Sequence, residues 1–591
     1  MSFADANRAS IRVIEETTWG TTPSSGATRE VRLTSSSLSA EKETVISDEL
    51  RADRMVSAIT EVSAMSSGDI NFEHSAGAQD EFLAAFLMGA WSRPMSRDFF
   101  KGQTISVTGT NEVTVAGKDV TGYIAGGRRI KLAGFVNAEN NGYFSVSSVA
   151  LSGSDTVVTL VENTLVAETG TVRARLFDAN DVVVLNNTSI EATATGFSGT
   201  GAFTAAVAAG QLKVGQKIFV EGLGFEAGTI VASDALSTLV VTISDGTNSA
   251  QLTAGTDYTV GVDAATDAAA LAAAINAQRV KSVGAVNVKA VASAGTVTVT
   301  NLNVTGGSIT EDTSDGNATV TDFSGGVADV RGTYTITSLS NDAIVTNPAP
   351  AGVVAAGAPV TIKGSMLRNP GSVDEIVQRK FTIETAFNDI GQYMVQDGMV
   401  PGTFSLEVAT GAIITGTIGF QGRATQLRQS TVLGDVGSYT VLGAQTGEVM
   451  NATTNVGEIE KDGSTFGASI QSISISGEAN LRQQAAVGSK FAKGIGAGRF
   501  NLTGSMTVYF EDEQLFNDFI NHETVALSFA VTDLDGQTEI FTIPAIKFSQ
   551  DQIAPGGIDQ DVFDNVEWTA FRDPTTECMI QIDRFSPNTA V

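Results

Sequence analysis

Cysteine is almost absent from this 591-residue chain, which carries only Cys578 and so cannot form a disulfide within itself. Long apolar runs are missing too, because no stretch approaches the ~18–20 residues that a membrane-spanning helix needs. The first residues, MSFADANRASIR, lack the apolar core of a signal peptide. These absences predict a soluble protein that is made in a cytoplasm and has no membrane partner.

Sequence features typical of enzymes are scarce as well. The chain has two histidines, His74 and His522, and neither has metal-ligand spacing. Nucleophile-elbow, zinc-protease and P-loop motifs do not occur. The glycine-rich stretch FAKGIGAGRF (491–500) opens no helix, so we interpret it as a flexible loop. The sequence predicts no enzyme, no cofactor and no metal site. His74 is interpreted as a structural or solvated loop residue and Cys578 as a buried thiol.

Charge is sparse and mostly negative. Charged residues make up 17% of the chain, against ~25% in typical domains, and the net charge is −29. Such a surface repels nucleic acid, because DNA binding depends on lysine and arginine displacing counterions from phosphates. Conventional DNA binding is therefore disfavoured, but a role in which DNA must pass without sticking is not.

Glycine, valine and threonine are what the chain has in abundance, and this composition is typical of a mainly β protein. Residues 1–98 and 372–591 have a similar sequence pattern. Residues 99–371 between them are poor in aromatics and rich in Thr/Val strands. We predict a discontinuous domain formed by 1–98 and 372–591. One inserted β module covers 99–181, and a second covers 182–371 and is split by a nested α+β domain at 226–330.

The two inserted modules share internal repeats. GGRRIKLAGF (126–135) resembles VGQKIFVEGLGF (214–225), with Ile130 matching Ile218. NGYFSVSSV (141–149) likewise resembles RGTYTITSL (331–339), with Phe144 matching Tyr334. The nested domain contains the helical pattern DAATDAAALAAAINA (263–277), for which Thr266 is the expected N-cap.

A further repeat lies in the outer parts of the chain. GDINF (68–72) and GRFNL (498–502) can be aligned with Gly68 on Gly498 and Asn71 on Asn501. Each leads into an acidic amphipathic helix, with apolar pairs at 82–83 and 86–87 in the first and at 515–516 and 519–520 in the second. We interpret them as related halves of one domain, each placing a helix against its sheet.

Several phrases of the outer parts resemble the tail tube proteins of bacteriophages, the major tail proteins of long-tailed phages. They are NRASIRVIEETTWGTTP (7–23), ELRADRMVSAITEVSAMSSGDINFEHSAGAQDEFLAAFLMGAW (49–91) and FTIETAFNDIGQYMVQDGMVPGTFSLEVATGAIITGTIGFQGRA (381–424). The resemblance implies a β-sandwich or half-barrel subunit with flanking helices. It also implies six-membered rings that stack into the conduit for DNA ejection, with the inserted modules outside.

The resemblance further implies the partners and the location of the protein. It would bind copies of itself and other tail proteins (tape measure, tail terminator, distal tail), and DNA would pass through non-specifically. The expected location is the virion tail, after assembly in the host cytoplasm. A different function also fits the Thr/Val repeats, namely a virion or cell-surface adhesin that binds glycans.

Alternating strands suggest which residues would line such a tube. If the apolar faces pack inward, the opposite faces carry acidic and hydroxyl groups that do not grip phosphate. These candidate lumen-facing residues are Asp69, Asn71, Glu73, Ser405, Glu407, Thr415 and Thr417. The alternative is that they form the solvated outer face of an antiparallel sheet.

Overall fold

The fold is mostly β, as the composition predicts. A computed structural model describes residues 3–585 except 93–103, 118–120, 122–123, 125–128, 141, 162, 164, 170–174, 179–181, 188–189, 223–226, 280–283, 302–306, 314, 325–329, 351–359, 435–438, 445–447, 535 and 556. The chain divides into two compact units, unit 1 (1–181 and 364–591) and unit 2 (182–363). The predicted 98/99 border and residues 181 and 226 lie outside the described residues, and the predicted domain boundaries stay predictions.

In the first part of unit 1 the described residues form eleven strands and one α-helix, together with short 3-10 turns at Ala6–Arg8 and Ala138–Asn140. In chain order they are β1 (Ala9–Glu15), β2 (Gly26–Glu30), β3 (Ser35–Ser36), β4 (Ser39–Ile46), β5 (Ile59–Glu73), α1 (Asp80–Phe86), β6 (Ile105–Val107), β7 (Glu112–Val115), β8 (Arg129–Ala133), β9 (Gly142–Ser152), β10 (Asp155–Leu160) and β11 (Arg175–Asp178). Strands β6–β11 form a separate six-stranded sheet with its own apolar core.

The part of unit 2 that the structure describes forms a seven-stranded, a four-stranded and a three-stranded sheet. Its elements are β12 (Val182–Asn187), β13 (Glu191–Thr193), β14 (Gly196–Ser198), α2 (Thr204–Ala208), β15 (Lys217–Gly222), β16 (Ala227–Ala232), β17 (Val240–Ser244), β18 (Ser249–Thr253), α3 (Ala264–Arg279), β19 (Val288–Ser293), β20 (Thr296–Asn301), β21 (Ser308–Thr313), β22 (Ala318–Ser324), β23 (Gly332–Leu339), β24 (Ala343–Asn347) and β25 (Val360–Lys363).

The repeat between the inserted modules is visible in strand pairing. Ile130 of β8 stands opposite Phe144 of β9, as Ile218 of β15 stands opposite Tyr334 of β23. The elements between β15 and β23 have an apolar core of their own, in which α3 packs on β19. The cap of α3 differs from the prediction. The Asp263 carboxylate accepts the Thr266 N–H at 2.8 Å, because a carboxylate just before the first turn satisfies a free amide.

The second part of unit 1 covers residues 364–591. It contains β26 (Ser365–Arg368), a 3-10 turn (Val373–Glu375), β27 (Phe381–Phe387), β28 (Gln392–Ala409), β29 (Thr415–Gly422), β30 (Ala424–Arg428), β31 (Tyr439–Leu442), β32 (Val456–Lys461), β33 (Ser464–Thr465), β34 (Ile470–Glu478), β35 (Arg482–Gln484), β36 (Gly494–Gly496), β37 (Asn501–Tyr509), α4 (Gln514–Ile520), β38 (Val525–Thr532), β39 (Thr538–Ala554), β40 (Phe563–Ala570) and β41 (Gln581–Phe585).

Unit 1 contains the same arrangement of strands twice. In the first repeat, long β28 pairs along its first half with β27 and β30 and along its second half with β29, which pairs with β5. In the second repeat, long β39 pairs in the same order with β38 and β41 and then with β40, which pairs with β37. Even the β-bulges match, at Pro401–Thr403 and Phe548–Gln550. The duplicated strand-to-helix unit that the sequence predicts is therefore matched by a repeated strand arrangement in the structure.

The strand register in the structure corrects the alignment of the two repeats that the sequence predicts. Gly68 stands opposite Phe420, and the residue opposite the equivalent aromatic, Trp568, is Gly504 rather than Gly498. A Cβ at Gly504 would lie 2.1 Å from the Trp568 ring, so the glycine is required for packing. The predicted alignment is therefore wrong by six residues. Because six is even, it kept the correct face of the strand.

Candidate functional site

One sheet of unit 1 brings the predicted residues together. Its antiparallel strands follow the order β5, β29, β28, β34, β37, β40 and the second half of β39, and we call it the main sheet. Thr415 stands between Glu73 and Glu407, and Thr417 stands between Asn71 and Ser405. Asp69 lies on the same face, opposite Gly419. All seven predicted residues therefore share one face of three neighbouring strands.

Hydrogen bonds hold part of this face in place. The Thr417 hydroxyl donates to Asn71 Oδ1 at 2.7 Å, and Asn71 Nδ2 donates to Ser35 Oγ at 2.8 Å. Asp69, Glu407 and Thr415 are exposed, and the other four predicted residues are half-buried. The face is thus polar, ordered by its own contacts and open to solvent in the isolated chain.

The polar face extends over four further strands that the sequence reasoning missed. Alternation in IQSISISGE, NLTGSMTVY and FDNVEWTA could have revealed three of them. The cross-strand rows of this face are Glu73–Thr415–Glu407–Ser474–Ser505–Glu567–Gln550, Asn71–Thr417–Ser405–Ser476–Thr503–Thr569–Lys547 and Asp69–Gly419–Thr403–Glu478–Asn501.

The charge of these rows is strongly acidic. They contain five carboxylates against the single ammonium group of Lys547. Arg482 and Arg499 border one end, where an open groove of about 840 Å³ lies beside Asp69 and Glu478. A surface of carboxylates, hydroxyls and amides offers little attraction to a phosphate backbone.

The opposite face of the main sheet is apolar and buried. Alternate residues such as Phe72, Ile418 and Leu406 belong to the main core, to which α1 contributes Phe82 and Phe86. The Phe86 ring of α1 lies 5.7 Å from Phe404 and 5.4 Å from Phe500. The sheet therefore has one face committed to the core, which fixes the polar face on the other side.

Behind the core, a buried ionic network joins the two repeats. His74 follows β5 and is only 3% exposed, so it is a structural rather than a solvated loop residue. Its Nε2 lies 2.9 Å from Glu539 Oε2, and Arg584 Nε lies 2.8 Å from Glu539 Oε1. Arg584 also pairs with Asp80. Burial alone would raise the pKa of Glu539, but Arg584 and His74 outweigh it and hold that pKa at about 2.

The remaining candidate groups provide no reactive site. Cys578 is buried, which raises the pKa of its thiol, and it lies 3.4 Å from Thr576 Oγ1. Gly494–Gly496 of the glycine-rich stretch is strand β36, paired with β35, instead of the predicted flexible loop. Within the described residues, no group of three or more His, Cys, Asp or Glu is placed to hold a metal ion, and no helix is long and apolar enough to cross a membrane.

Fold and site define a class of structural β protein with a broad acidic sheet face and no reactive cluster among the described residues. The family model of the phage tail tube protein matches the chain twice, over residues 6–296 and 281–570. The chain therefore belongs to the phage tail tube family, a family of structural proteins of the phage tail. No curated protein matches it.

Proposed function

We propose that the protein assembles into stacked rings that form the tail tube, and that the polar face of the main sheet lines the channel for DNA ejection. The observation that carries this proposal is the continuity of that face across seven strands, four of which carry carboxylates on it. A channel wall that repels phosphate lets DNA pass without binding it. The seven predicted residues, from Asp69 to Thr417, are then lumen-facing.

The other parts of the chain take their roles from this arrangement. A folded insertion inside the channel would obstruct DNA, so we place the inserted modules on the tube exterior. The ends of the tube would contact the tape measure, tail terminator and distal tail proteins, and assembly would occur in the host cytoplasm. The resemblance predicts a ring of six subunits. Because each chain contains the strand arrangement of a tube unit twice, we propose instead that the six members of the ring are tube units.

Charge reversal on the polar face tests the function. Glu407→Lys places a new positive charge in every copy along the tube. Because lysine attracts phosphate, we expect tubes to form but DNA release from virions to slow severalfold. Asp374→Lys, at an exposed acid outside the main sheet, is the matched control and should release DNA at the normal rate. Equal release rates for Glu407→Lys and unaltered virions would place the polar face away from the DNA path.

A further inference from the structure

Within the main sheet, one pair of strands joins the two repeats to each other inside the chain. The second half of β28, which ends the first repeat, pairs with β34, which begins the second. Ser405 stands opposite Ser476, and Thr403 stands opposite Glu478. This junction continues the polar face from one repeat into the next without a break.

The end of the second repeat has no such continuation within the chain. β39 is the equivalent of β28, and matching bulges make Gln552 the counterpart of Ser405 and Gln550 the counterpart of Thr403. In its second half β39 pairs with β40 on one side. Among the described residues no strand pairs with its other side beyond Ile546. An open edge of this kind is a template for another strand.

The start of the first repeat offers the complementary edge. Ser39 pairs with Ser67 and Glu41 with Met65 of β5, as Ser476 and Glu478 pair within the second repeat. Residues 37–41 are therefore the counterpart of residues 474–478 of β34. On their outer side the described residues place no strand, and Ser39 and Glu41 are exposed.

The helices of the two repeats differ in the same way. In α1, Phe82, Leu83 and Phe86 are at most 3% exposed, and Phe86 packs against Phe500 of the second repeat. In α4 only Leu515 is buried, and an apolar face is left open. Phe516 is 42% and Ile520 is 61% exposed. The second repeat thus lacks the cover that the first repeat receives from its neighbour.

We infer that a second copy of this chain supplies both missing parts, by pairing its residues 37–41 antiparallel with residues 550–554 of β39. The internal junction fixes the register. Gln552 stands opposite Ser39 of the second copy, and Gln550 stands opposite Glu41 of the second copy. The same contact covers the open apolar face of α4. This inference rests on the proposed function, because the pairing is what closes the polar face into a ring.

With six tube units in a ring, as proposed above, the duplication sets the number of copies. Each chain supplies two tube units of four strands, so six units come from three copies, not six. With strands about 4.8 Å apart and tilted by about 40°, the resulting 24-stranded barrel is about 48 Å across between backbones. Six copies would double this width, far beyond what a DNA duplex needs.

Paired cysteines test the register. Opposite residues of a non-hydrogen-bonded antiparallel pair have Cα atoms about 4.5 Å apart, within reach of a disulfide. Ser39→Cys combined with Gln552→Cys should give disulfide-linked oligomers on mild oxidation of assembled protein. The two positions lie at opposite edges of the main sheet, so such a link joins different copies. The control, Ser35→Cys with Gln552→Cys, is shifted by four residues, or about 13 Å, and should not cross-link.

The outcomes separate this inference from the proposed function. Cross-linking of the matched pair alone, in tubes with threefold symmetry, supports both. Tubes that form without the matched cross-link, or in which the shifted pair links equally well, overturn the register and leave the tube function standing. Protein that forms neither rings nor tubes under assembly conditions, even with other tail proteins added, overturns both.

Discussion

Glu539 is the residue on which the buried ionic network depends. It accepts the Gly77 N–H at 3.2 Å in addition to contacting His74 and Arg584, so one carboxylate ties the start of α1 to β39 and β41. Removing one partner of a buried ion pair leaves the other charge uncompensated, which costs about 3–5 kcal/mol.

Glu539→Gln should therefore destabilise unit 1 at neutral pH. The pKa of Glu539 is lowered on folding, from about 4.5 to about 2, so its ionisation contributes about 3 kcal/mol above pH 4.5. That contribution is lost as the pH falls towards 2. All three tryptophans (Trp19, Trp91, Trp568) lie in unit 1, so urea unfolding followed by tryptophan fluorescence reports on it. A stability difference that does not shrink between pH 6 and pH 3 would contradict this role.

Asp564 has the opposite pH dependence. Burial, and then the charge of Asp551, raise its pKa to about 7. Because this pKa is raised on folding, the folded state binds the extra proton, and stability is lost as the pH rises from about 4 through 7. Asp564→Asn should gain stability relative to the unaltered protein on going from pH 5 to pH 8. The same fluorescence measurement checks it, and Asp512→Asn at an exposed site is the control.

Helices α1 and α4 differ between the two repeats in how deeply they are buried. Phe86→Ala empties a fully buried site against Phe404 and Phe500 and should cost about 3–5 kcal/mol in urea unfolding of unit 1. Phe516→Ala, on the open face of α4, should change the stability of the single chain far less and should instead weaken assembly, measured by sedimentation. Equal destabilisation by both substitutions would show that α4 is already covered within one chain.

For these elements, the sequence predicts which face of a strand a residue occupies better than it predicts which residues stand opposite each other on neighbouring strands. Alternation placed Asn71 and Ser405 correctly on one polar face, because side chains on a strand alternate with a period of two. The equivalence of Gly68 and Gly504 could not be predicted, since it depends on the bulky residues Phe420 and Trp568 of neighbouring strands. The partners of His74 could not be predicted either, because Glu539 is 465 residues away in the chain.

Unit 2 interrupts the sequence of unit 1 between residues 181 and 364. Its first and last strands are neighbours, with Val182 opposite Lys363, so the chain enters and leaves the unit at adjacent points. Deleting 182–363 and joining Asp181 to Gly364 should leave unit 1 folded and able to assemble. Circular dichroism and electron microscopy check the two parts of this expectation. Loss of folded protein, with 182–363 also unfolded when expressed alone, would contradict independent folding of unit 2.

Cryo-electron microscopy of assembled tubes tests most directly the claim that the polar face lines the DNA channel. We expect Glu73, Glu407 and Glu567 to point into the lumen, in one continuous sheet that passes from copy to copy, with residues 182–363 on the outside. A reconstruction in which these three carboxylates face the exterior, or in which another surface of the chain lines the lumen, would contradict the account.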